Sequence, residues 1–143
     1  MIDLSNPETE MFLDIEYYTK EGVPGLLRNT ATRIQQQGYY TLGEFFNDVS
    51  GAELNAMNIL INDCIKRGTD YGESFSFLFI LTAMLMVAQG HQACKVKDIT
   101  ESLKTFVGFV LDETIARDIK TPNELLAIRK QYDIDKLAEY QRT

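Results

Sequence analysis

His91 is the only histidine in the chain, and Cys94 follows it by three positions. Two such residues three apart can turn toward one zinc ion, and Cys64 would be a third ligand. A structural zinc site takes four ligands, usually as two close pairs. No second pair exists in this sequence, so no metal is expected. His91 follows a helix end, where a ring nitrogen can bond a free carbonyl. Cys64 falls on an apolar helical stripe, where a thiol behaves as a small hydrophobe. Cys94 lies between His91 and the pair Lys95 and Lys97, a setting in which positive charge can activate a thiol. The plainer expectation is an ordinary loop cysteine.

Acids three apart on a helix can converge on a hard cation such as Mg²⁺. Only Asp70/Glu73 and Asp98/Glu101 have that spacing, and both pairs stand where helices should begin, so capping explains them. Glu10/Asp14, Glu44/Asp48 and Asp135/Glu139 are four apart, on faces expected to meet water. The chain has no Gly-x-Ser-x-Gly elbow and no phosphate-binding glycine loop. The turn Gly22-Val23-Pro24-Gly25 precedes a helix with Arg28 in its first turns, but Pro24 removes one of the N–H donors an anion would need. The basic groups Arg28/Arg33, Lys95/Lys97/Lys104 and Arg129/Lys130 are interleaved with acids and form no stripe for nucleic acid. No catalytic residue and no cofactor are therefore expected.

The elements that would position these residues read as helices. Asn6-Pro7-Glu8 has the form of a helix start, with Met11, Phe12, Ile15 and Tyr18 at helical spacing behind it. A second helix fits Pro24 to Gln37, ending at Gly38, and a short third fits Leu42 to Val49. Ser50-x-x-Glu53 is a capping box. Behind it Leu54, Met57, Leu60, Ile61, Cys64 and Ile65 form an apolar face, opposite Asn55, Asn58, Asn62, Lys66 and Arg67. Phe75 to Ala88 is apolar except for Ser76 and Thr82. It falls short of the roughly 20 residues a membrane span requires, so a buried central helix over about 71–89 is expected. Asp98 and Glu101 open a helix reaching about Asp118, with Ile99, Leu103, Phe106, Val107, Val110 and Ile115 buried. Thr121-Pro122-x-Glu124 opens another, and Asp133 or Asp135 a last short one. No period-two run or hairpin turn stands out. The expectation is an all-α fold: one domain over 1–143, with seven or eight helices around the central one, and residues 121–143 packing on the core.

With 143 residues, of which 45% are hydrophobic and 24% charged, the chain has the size of one domain with a sizeable core. The net charge is -7. Residues 1–24 hold six acids against Lys20 alone, so this segment should keep the protein dissolved or meet a basic partner. Acidic balance argues against binding nucleic acid. Two cysteines in different elements and no basic leader segment point to a cytoplasmic protein with reduced thiols.

Three aromatic pairs stand out: Tyr17-Tyr18, Tyr39-Tyr40 and Phe45-Phe46. Adjacent side chains on a helix point about 100° apart, so one of each pair should reach the surface, where aromatics favour interfaces. These six residues are the expected protein interface. The function expected is a non-enzymatic interaction or adaptor protein, self-associating as a dimer because one chain has little left to cover its central helix. The stretch Tyr40-Thr41-Leu42-Gly43-Glu44-Phe45-Phe46-Asn47-Asp48, followed by Ser50-x-x-Glu53-Leu54, resembles small accessory proteins of tailed bacteriophages. That resemblance implies an accessory or assembly role. The other alternative is a small all-α enzyme with a site assembled from distant residues.

Overall fold

A computed structural model of the protein describes residues 5–67, 72–91 and 94–120. Helix accounts for 72% of these residues. Among them are five α-helices, one 3-10 turn and a two-stranded antiparallel ladder. The chain runs β1 (Glu10–Met11), a 3-10 turn (Ile15–Thr19), α1 (Gly25–Gln37), α2 (Leu42–Asp48), α3 (Gly51–Arg67), α4 (Glu73–Ala88), β2 (Cys94–Lys95) and α5 (Val96–Ala116). The all-α class holds, and the described residues hold five α-helices of the expected seven or eight. The two helices expected after Thr121 lie outside the described residues.

The helix expected from Asn6 through Tyr18 does not form. The Asn6 side chain accepts the Glu8 N–H at 3.0 Å, and the Asp14 side chain accepts that of Glu16 at 3.1 Å. Each bond turns the chain locally in competition with a helix. The backbone between them pairs elsewhere. Val96 N–H donates to Thr9 O and Lys97 N–H to Pro7 O, both at 2.9 Å. These are first-turn donors of α5, which have no partner inside their own helix. Glu10 then stands opposite Lys95, and Met11 opposite Cys94.

Helices α1 to α3 follow from local signals. Gly38, at φ +79°, ends α1 in a backbone region that side chains disfavour. Thr41 and Glu44 form a capping box at the start of α2, the Thr41 hydroxyl accepting the Glu44 N–H at 3.1 Å. Ser50 and Glu53 form the expected box at α3, with Glu53 N–H donating to Ser50 Oγ at 3.1 Å. Glu53 also takes both terminal nitrogens of Arg33, at 3.1 and 3.3 Å, tying α3 to α1.

Helix α4 is the hub. Leu78, Phe79, Leu81, Thr82, Ala83, Met84, Leu85 and Ala88 are buried, and the helix packs against α1, α3, α5 and β2. One chain thus covers much of the most apolar helix, while Phe75, Phe77, Ile80, Met86 and Val87 along it stay partly exposed. Asn58, expected on the solvent side of α3, is buried instead. Its Nδ2 donates to Leu54 O at 3.0 Å and to Thr114 Oγ1 on α5 at 2.7 Å. Ile115, expected in the core, is 44% exposed.

Arg117, just past α5, braces the far side. Its guanidinium donates to Val49 O at 2.6 Å and to Phe46 O, carbonyls at the C-terminal end of α2, and to Glu113 Oε1 at 3.3 Å. Cations suit that helix end. Arg117→Met should lower stability by about 1–3 kcal/mol, the range for losing charged hydrogen bonds. Urea denaturation checks this; an unchanged midpoint would mean that water serves the two carbonyls equally well.

Candidate functional site

The six aromatic residues expected at an interface separate into two groups. Tyr17 is 59% exposed, and Tyr18 is half-buried against α1, their rings edge-to-face at 5.1 Å. The 3-10 turn that carries them is held on α1. Tyr39, just beyond the Gly38 turn, is also 59% exposed. Its neighbour Tyr40 is fully buried. The Tyr40 hydroxyl donates to Asp48 Oδ2 at 2.6 Å, and its backbone N–H donates to Ala88 O at 3.2 Å. Burial, and next the adjacent Asp48 carboxylate, push its phenol pKa above the ordinary value. Tyr40 thus serves the core.

Phe45 and Phe46 correct the expectation outright, because both are buried. Side chains about 100° apart on α2 are both covered, with rings of α5 against each of them. Phe45 meets Phe46 at 5.1 Å and Phe106 at 5.8 Å, and Phe46 also meets Phe106 and Phe109, at 5.8 and 6.2 Å.

Besides Ile115, two large apolar residues outside the expected set are on the surface. Phe12 is 76% exposed and Ile59 63%. The signal for Phe12 is present in the sequence as Glu10-Met11-Phe12-Leu13-Asp14. In an extended chain successive side chains alternate, so Phe12 points away when Met11 and Leu13 face inward, and these two are half-buried against Phe79, Ala83, Cys94, Val96 and Ile99. Ile59 falls on the same face of α3 as Asn55, Asn62 and Lys66.

The residues examined for chemistry are kept apart. His91 is exposed in the turn after α4, while Cys94 is buried in β2. Burial, and secondarily Asp98, raise the Cys94 thiol pKa rather than lowering it. Lys95 and Lys97 are engaged by Glu8, at 2.8 and 3.0 Å. Their hydrogen bonds and charge hold the Glu8 carboxyl down to about 2. Cys64 is half-buried, its thiol pushed up by burial and next by Asp63. No group of three or more His, Cys, Asp or Glu side chains comes together among the described residues.

One cleft of about 210 Å³ lies between α4 and α5, beside the start of α2. It gathers Thr82, Gln89, His91, Ser102 and Thr105 over an apolar floor of Leu85 and Phe106. Ligand pockets generally run from about 300 to 1,000 Å³. Thr82 already donates to Leu78 O at 2.8 Å and Gln89 to Leu85 O at 3.0 Å. Among the described residues that line the cleft, His91 is the one titratable group, and none is a carboxylate that could orient it. No helix among the described residues is long and apolar enough to cross a membrane. No family model matches the chain, and no curated protein or solved structure matches it either.

Proposed function

We propose that this protein works through protein–protein contacts, with no chemistry of its own, and that it associates with a second copy through its exposed aromatic residues. The observation that carries this reading is the exposure of Phe12, Tyr17 and Tyr39, at 76%, 59% and 59%. Aromatic side chains supply much of the binding energy of interfaces when they become buried there. Each of these three sits on a short connecting or extended segment fastened to the helical body. The size of the α4–α5 cleft, and the prior engagement of its Thr82 and Gln89 donors, support the same reading.

Sedimentation over a dilution series tests it. The wild type should show an apparent mass above 16.3 kDa at high concentration, falling toward that value on dilution. The variant carrying Phe12→Ser, Tyr17→Ser and Tyr39→Ser should stay at the monomer mass throughout. A wild type that is monomeric at every concentration would remove self-association. A rise in melting temperature on adding a metal ion or nucleotide would favour the enzyme reading, since a ligand that binds only the folded state stabilises it.

A further inference from the structure

A turn over residues 6–9 carries Pro7 and Glu8, and residues 9–13 after it run as an extended segment beside β2 and the start of α5. On its inner side, Met11 and Leu13 pack on the cluster of Phe79, Ala83, Cys94, Val96 and Ile99. Four of those five come from α4 and α5, and Cys94 from β2. On its outer side, Glu10, Phe12 and Asp14 meet solvent. What fastens the segment is slight. The ladder is two residues long on each strand. Two backbone bonds reach the start of α5. Among the described residues the remaining polar tie is Glu8, whose two carboxylate oxygens are divided between Lys95 and Lys97. That carboxylate is 59% exposed, and exposed ion pairs are weak and screened by salt. Segments held by few buried contacts open locally well before the whole fold does.

We propose that residues 7–13 are a releasable strap, latched by Glu8 on Lys95 and Lys97, and that the groove beneath accepts an extended segment of the same chemistry from a partner protein. The strap defines that chemistry: a carboxylate for the two lysines, then two apolar side chains alternating along the strand. Charge complementarity at Lys95 and Lys97 sets the acidic end. The edge of β2 on which β1 lies sets the extended form, because strand addition gains main-chain hydrogen bonds and places alternate side chains in pockets. With the strap lifted, the cluster would be an exposed apolar patch of the kind that marks a binding site. The inference rests on the strap and its latch and does not depend on self-association.

Cys94 reports on the strap, since it is 3% exposed and faces Met11 across the ladder. Cys64→Ala leaves it as the single thiol of the chain. In that background, Glu8→Gln should speed the reaction of Cys94 with a small disulfide reagent by about two- to fivefold, as expected when weak exposed ion pairs no longer oppose a local opening. The cooperative melt should be retained. Raising salt from about 0.05 to 0.5 M should speed the protein that keeps Glu8 and leave the Glu8→Gln protein nearly unchanged. Glu16→Gln, a neighbouring exposed acid, should have no effect. A synthetic peptide of residues 5–14 should slow the labelling of the Glu8→Gln protein again. Equal rates with and without Glu8, at both salt concentrations, would overturn the latch. Fast labelling that the peptide does not slow would overturn the groove as an acceptor.

Discussion

Leu81→Asp should leave no folded protein. Leu81 is fully buried midway along α4, the helix that α1, α3, α5 and β2 all pack against. An aspartate there would face apolar side chains on every side. An unpaired charge left in such a place costs several kcal/mol, roughly 3–5 where buried pairs have been broken. Whole domains hold only about 5–15 kcal/mol. The charge could escape by protonation, but a neutral carboxyl without a partner is still costly to bury. The lost leucine contacts add to the deficit. Circular dichroism and solubility at neutral pH check the outcome. A soluble variant with a cooperative melt near that of the wild type would show that α4 is not the centre on which the other helices depend.

Phe106→Ala should be the next most damaging change, and here the protein should survive to be measured. Phe106 is 2% exposed and touches both Phe45 and Phe46, at 5.8 Å each. With Phe109 and Arg117 it holds α2 on α5. Replacing a buried phenylalanine by alanine removes its transfer energy and leaves a void, about 3–5 kcal/mol together. Tyr39→Ala offers the contrast: an exposed ring without a core role should change stability by about 0.5 kcal/mol or less. Urea titration of both variants makes the comparison. A Phe106→Ala loss below about 1 kcal/mol would mean that the Phe45–Phe46–Phe109 group closes over the gap, the cost of such gaps being set by how well a site collapses.

What could be read from the sequence was whatever a few neighbouring residues decide. The Ser50–Glu53 box, the stop at Gly38 and the mostly apolar run of α4 each depend on side chains within one or two turns. The N-terminal segment could not be read that way. Asn6-Pro7 is a good local helix start, yet the backbone behind it pairs with residues 94–97. The Glu8–Lys95 contact spans 87 positions, and no local pattern announces it. Phe45 and Phe46 fail for a related reason. Their angular separation on a helix is legible, but whether one or both directions are interior depends on where α5 lies. Arg117 is similar, since its partners Val49 and Phe46 lie 68 and 71 positions earlier. Of the expected interface, Tyr17 and Tyr39 have the exposure that reading required. Tyr40, Phe45 and Phe46 belong to the core. Phe12 fits a helical stripe by its spacing, and it is the extended backbone that puts it on the surface.

The claim that exposed aromatic residues carry this protein's function is tested most directly ring by ring. The chain has seven tyrosines, and fluorotyrosine incorporation gives each its own ¹⁹F resonance, assignable by single Tyr→Phe variants. Spectra recorded from low to high protein concentration should show Tyr17 and Tyr39 shifting or broadening as they are covered, while Tyr40, already sealed against Asp48, stays fixed. Resonances of Tyr17 and Tyr39 that hold constant at every concentration would contradict the account.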